Sequence, residues 1–187
     1  MSLSITIELS EADLQHFQEI VRRAHESAGQ KTAEEITSAA SQLVEAGHGK
    51  DVPEFIAQRL GKLESLISMV KDELWAMSDE DKKRVLTALA YFADPKDVIP
   101  DSVPVVGLLD DAIMIELCVR ELKHEIDAYE DFVSFRTHEA RGRGIEPEKL
   151  GRVEWLEERR VELQDRMRRR RTGGYAGYSG LAVFRVG

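Results

Sequence analysis

A single cysteine among 187 residues, Cys118, excludes an intramolecular disulfide. Its place in the apolar run 112–119 suits a buried thiol, which fits a reducing, cytoplasmic setting. The first residues lack a basic stretch followed by a long apolar one, so no secretory signal is expected there. Uninterrupted apolar runs are missing too. The most hydrophobic segment, 98–117, carries Asp101, Asp110, Asp111 and Glu116, and a carboxylate near a bilayer centre costs roughly 2.5 to 3.5 kcal/mol. No membrane span is expected from it. Aromatic residues are scarce at 6%, but 42% apolar residues against 33% charged ones mark a globular chain and exclude global disorder.

Several chemistries lack their signatures. The five histidines, at 16, 25, 48, 124 and 138, show neither H-x-x-x-H nor H-E-x-x-H spacing, which leaves zinc little support. No nucleophile elbow, phosphate-cradling glycine loop or dinucleotide fingerprint is present. Cys118 sits among aliphatic residues, where burial raises a thiol's pKa and disfavours nucleophilic use. No catalytic residue is assigned, and the sequence leans away from an enzyme.

Charge is uneven. The chain carries −9 overall, yet from Arg159 onward eight arginines meet only Glu162 and Asp165, so this end is +6 and the rest −15. The acidic body opposes nucleic acid and anionic lipid. The run Arg168, Arg169, Arg170 and Arg171, followed by glycines, Tyr175 and Tyr178, has three readings. It offsets a helix dipole, it binds phosphates while the tyrosines stack on bases, or it folds back onto the acidic body or a protein partner.

Helical start and stop signals predict an all-α bundle of about six helices. Ser10–Asp13 opens the first, which Gly29 ends. Thr32–Glu35 opens the second, with an apolar stripe running to Gly47. A third, from Asp51 and Pro53, carries its stripe through Leu74 to Met77. Ser78 caps a fourth that Pro95 stops. The fifth begins near 108–110, is apolar on nearly every side through Val119, and continues to about His138, which places it mid-bundle or against a second copy. Pro147 is placed in the first turn of the sixth, whose seam is spoiled by Arg160. The expected organisation is a helical domain over 1–140, a C-terminal helix over 145–171 and a Gly/Tyr-rich tail over 172–187. Alternating residues at Ser4–Leu9 and Leu181–Val186 allow short terminal strands that pair.

Three of the five prolines fall within ten residues, at 95, 100 and 104. Each removes a backbone donor and biases its predecessor away from helix, so the segment must be a shaped turn between two helices. Five aspartates share it: Asp94, Asp97, Asp101, Asp110 and Asp111. The order is an aromatic pair (Tyr91, Phe92), then D-P-x-D-x-I-P-D, then P-x-x-G, then a D-D pair opening a helix. This pattern, over about 85–122, resembles the YkvA-like family, a domain of unknown function (DUF1232). The resemblance implies a compact helical domain with this turn at its centre and assigns no reaction. Chemically, Asp97, Asp101, Asp110 and Asp111 can supply the oxygen ligands of Mg²⁺ or Ca²⁺ and support hydrolytic or phosphoryl chemistry. Equally, aspartates beside prolines cap turns, and acids in a helix's first turn gain roughly 0.3 to 1 kcal/mol from its dipole. The leading expectation is an interaction or regulatory module that meets a protein partner or a second copy of itself.

Overall fold

A computed structural model describes residues 5–8, scattered positions between 10 and 26, and 31–48, 52–93, 108–173 and 183–186. The fold is all-α. Described positions between 11 and 26 are helical, as the first expected helix requires; the remainder of that stretch lies outside the described residues. Six helices follow: α1 (Ala33–His48), α2 (Glu54–Lys71), α3 (Asp79–Leu89), α4 (Leu109–Glu121), α5 (Lys123–Arg143) and α6 (Glu154–Gly173). Short 3₁₀ turns occupy Ala90–Ala93 and Pro147–Lys149. Outside the bundle, β1 (Ile5–Glu8) pairs antiparallel with β2 (Val183–Val186), with Ile5 opposite Val186.

Local chemistry sets the helix starts. Thr32 and Glu35 form a reciprocal capping box: Glu35 N donates to Thr32 Oγ1 at 3.2 Å, and Thr32 N donates to Glu35 Oε2 at 2.6 Å. The Thr32 amide, then the Thr32 hydroxyl, hold the Glu35 carboxyl below its usual pKa. At the other end of α1, Gly47 is buried because a Cβ there would run into Leu60 Cδ1, so α1 and α2 meet closely. Ser78 caps α3, its Oγ accepting from Asp81 N at 3.2 Å.

Three expected boundaries are corrected. The third helix does not reach Met77: α2 ends at Lys71, and Asp72 takes an extended conformation with φ −74° and ψ 105°. The Asp72 carboxylate accepts from Leu74 N at 2.9 Å and Trp75 N at 3.2 Å. This local side-chain turn competes with the helix for the backbone and wins. Second, the long fifth helix is two helices, interrupted at Leu122 (φ −98°, ψ 18°), whose side chain is fully buried. Third, Pro147 belongs to a separate 3₁₀ turn, and α6 starts only at Glu154. Gly144, at φ 67°, closes α5, with Ile145 N bonding Ala140 O at 3.1 Å, the left-handed stop that glycine permits.

The core gathers Leu60, Leu63 and Leu66 of α2, Val85 and Leu89 of α3, Met114 and Ile115 of α4, Phe132 of α5 and Leu163 of α6. Trp75 sits inside it, its ring centroid 5.2 Å from that of Phe132 and 5.8 Å from that of Tyr129. As its composition implied, the start of α4 is buried on nearly all sides, from Asp110 through Ile115. No helix among the described residues is long and apolar enough to cross a membrane.

Cys118 lies in this core, with its Sγ 3.4 Å from Ala88 O. Burial, and secondarily the charge of Glu121, push its thiol up to about 12. At pH 8 the thiolate is then on the order of one part in ten thousand. The native protein is expected to resist iodoacetamide at pH 8, and the denatured chain to take up one equivalent, as read by intact mass. Alkylation at equal rates in both states would show that the thiol is accessible.

Candidate functional site

The turn that ends α2 is the polar centre of the molecule. Asp72 Oδ1 accepts from Leu74 N, Trp75 N and Arg136 Nη1, and Oδ2 accepts from Tyr129 OH at 3.1 Å and Arg136 Nη1 at 2.8 Å. One carboxylate thereby fastens the α2–α3 turn to α5. Only 10% of the Asp72 side chain and 11% of the Arg136 side chain remain exposed, so this is a buried pair. Arg136 also lies 5.4 Å from the Phe132 ring centroid. Burial, then the Asp72 charge and its hydrogen bond, drive the Tyr129 phenol far above its usual value, which keeps it a protonated donor.

A groove of about 680 Å³ opens above this pair, between α1, α2 and the turn. Its floor is Asp72 and Arg136 with Val44, Ile67 and Leu74. Glu45, Glu64 and Glu73 line it alongside His48 and Lys71, so acids outnumber bases at the rim.

The turn is also held by α6 and by Arg152 just before it. Gln164 Nε2 donates to Trp75 O at 2.8 Å, Arg152 Nη2 to Glu73 O at 3.0 Å, and Arg160 Nη1 to Ala76 O at 3.4 Å. Arg160, the residue that spoils the apolar seam, divides its guanidinium between this carbonyl and the Glu157 carboxylate of its own helix.

Of the expected cation ligands, Asp97 and Asp101 lie outside the described residues, as does Asp94. Asp110 and Asp111 open α4 side by side, buried to 2% and 7% exposure. Acids in that first turn face the positive end of the helix dipole. Among the described residues no three His, Cys, Asp or Glu side chains are grouped so that they could hold a metal ion. At the 3₁₀ turn Ala90–Ala93, Lys31 Nζ donates to Ala93 O, and Tyr91 and Phe92 pack edge-to-face at 5.1 Å.

Residues 81–117 match DUF1232, a protein family of unknown function. No curated protein and no solved structure matches the chain. The DUF1232 segment covers most of α3, the aspartate- and proline-rich residues after it and most of α4, and begins at Asp81, four residues before the start expected at Val85.

Asp81, the first residue of the DUF1232 segment, is where the arginine run ends up. Arg168 reaches Asp81 Oδ2 through Nε at 3.2 Å and Nη2 at 3.0 Å, and Arg171 Nη1 reaches Oδ1 at 2.7 Å. Ser78 Oγ donates to Oδ2 at 2.7 Å. Burial alone would raise the Asp81 pKa; the hydrogen bonds of Ser78, Arg171 and Arg168 outweigh it and hold the carboxyl below its usual value. Beside it Glu125, fully buried at the start of α5, accepts from Arg84 Nε at 3.0 Å and from Arg171 Nη1 at 3.5 Å. The run therefore divides by helical periodicity. Arg168 and Arg171, three apart, face the body, and Arg169 and Arg170 are exposed.

Sequence reasoning missed Asp72, Arg136, Tyr129, Asp81 and Glu125 as site residues. Sequence alone carries no signal for them, because each is paired with a residue at least 41 positions away.

Proposed function

We propose that the chain is a non-catalytic binding module whose groove above Asp72 receives a segment of a partner protein. The observation that carries this reading is the saturation of Asp72. Four donor groups occupy its two oxygens, leaving no lone pair to accept a substrate proton, and its partner Tyr129 is held in the neutral form. The buried polar groups on the floor hold the groove's shape. An apolar strip of Val44, Ile67 and Leu74 under a rim richer in acids suits an apolar anchor with basic flanks. The test places a photo-crosslinking residue at Ser68, on the groove, or at Glu158, on the exposed face of α6, in the cell of origin. A discrete adduct from Ser68 alone, abolished by Glu64→Lys with Glu73→Lys, is the expected result. Adducts equally strong at both positions, or indifferent to the charge reversal, would rule the groove out.

A second reading is favoured by the burial of two adjacent acids, Asp110 and Asp111, directly after the aspartate–proline turn. In it Asp97, Asp101, Asp110 and Asp111 hold a divalent cation such as Mg²⁺ or Ca²⁺. Titration with Mg²⁺, Ca²⁺ and Mn²⁺ by calorimetry and thermal melting decides it. Saturable stabilisation lost in both Asp101→Asn and Asp111→Asn supports a cation site; no response, with both variants simply melting lower, makes these aspartates architectural.

A further inference from the structure

From the geometry around Asp81 and Glu125 we infer that this pair forms a guanidinium-binding site, filled in the resting protein by Arg171 of the same chain and open to an arginine presented by a partner. Both carboxylates are buried, at 2% and 0% exposure, and come from different helices, α3 and α5. The groups facing them are Arg84 from α3 and Arg168 and Arg171 from α6, with Glu80 and Glu121 at the edge. The second oxygen of Glu125 is buried with no hydrogen-bond partner among the described residues. Such an oxygen, beside an arginine that touches only its neighbour, identifies what the site wants. A guanidinium approaching Glu125 squarely would donate to both oxygens at once, whereas Arg171 reaches Oε1 alone, at 3.5 Å, while bonding Asp81 at 2.7 Å. An ammonium cannot make that fork.

Arg171 is thus an imperfect occupant, displaceable by an arginine with better geometry. Displacement would also free Arg171, adding its side chain to the exposed Arg169 and Arg170. The site is distinct from the groove above Asp72, so the two readings stand or fall separately.

The test is chemical rescue in the full-length chain. Arg171→Ala removes the resident guanidinium, and arginine amide is titrated while unfolding is followed by fluorescence. Arginine amide is expected to raise the melting temperature of the variant saturably, by roughly 3 to 6 °C at ten times its dissociation constant. Lysine amide is expected to do nothing, the wild type not to respond at the same concentrations, and the response to vanish in Arg171→Ala with Glu125→Gln. If Arg171→Ala does not fold, Arg171→Lys, which keeps the charge and loses the fork, takes its place. No rescue, equal rescue by lysine amide, or rescue that survives Glu125→Gln would overturn the assignment.

Discussion

Asp72→Ala is expected to lower the melting temperature by roughly 8 to 16 °C, from a loss of about 4 kcal/mol. The size follows from what one side chain does. Removing it leaves the Arg136 guanidinium buried without its carboxylate, strands the Tyr129 hydroxyl, and frees the Leu74 and Trp75 amides that define the turn. Breaking a buried pair by deleting one partner typically costs about 3 to 5 kcal/mol, far more than an exposed pair. The exposed Lys62–Glu130 bridge is the internal control, since its side chains are 45% and 47% exposed; Glu130→Ala should cost no more than about 1 kcal/mol. Asp72→Asn separates the two roles of the residue. Its amide oxygen still serves the Leu74 and Trp75 amides, but the charge facing Arg136 is gone, so the variant should fall between wild type and Asp72→Ala. Near-ultraviolet circular dichroism adds a local reading, because Trp75 is packed on Tyr129 and Phe132. If Asp72→Ala melts within 2 °C of wild type, the turn is not held in the way described.

Why Asp72 escaped sequence reading, while the helices did not, is a matter of range. Helix starts are written in contiguous residues: Thr32 with Glu35, and Ser78 with the Asp81 amide, act across three positions and were legible as patterns. The apolar stripe of α2 was legible too, but a stripe reports burial, not helix. Trp75 and Leu74 continue it in hydrophobicity after the backbone has left the helix at Asp72, so the stripe runs on toward Met77 although the helix does not. Likewise Leu122 reads as one more apolar residue in a long helix, although its backbone (φ −98°, ψ 18°) interrupts that helix. The site depends on pairs 41 to 90 positions apart, such as Arg84 with Glu125, Tyr129 with Asp72 and Arg171 with Asp81. No periodicity connects them, and only the packing of α5 and α6 against the turn brings them together. For the arginine run, composition allowed a solvated helix end, a phosphate-binding patch or a docked segment. The helical phase sends Arg168 and Arg171 to Asp81, yet that choice needed the position of α3 as well as the sequence of α6.

Asp81→Asn is expected to cost about 3 kcal/mol near neutral pH, or roughly 6 to 12 °C in melting temperature, and its deficit should shrink in acid. The substitution is informative because the helix cap survives it: the Asp81 amide, not its side chain, donates to Ser78 Oγ. What is lost is the negative charge and one of the two oxygens facing Arg168 and Arg171, which then stand over Glu125 with one charge too few to meet them. The pH dependence has a definite sign. Because the folded protein holds the Asp81 carboxyl below its unfolded value, the ionised state contributes stability that is fully present above the ordinary carboxylate range and is lost as pH falls through the folded value. Melting curves of wild type and Asp81→Asn should therefore be farthest apart at pH 6 to 8 and draw together as pH falls below the ordinary carboxylate value of about 3.9 toward the lower value of the folded protein. Salt distinguishes this pair from surface bridges, since screening acts weakly on a carboxylate that is 2% exposed. Raising ionic strength from about 0.1 M to 1 M should leave most of the deficit in place. A gap between the two proteins that stays constant from pH 3 to pH 8 would mean that Asp81 contributes shape rather than charge.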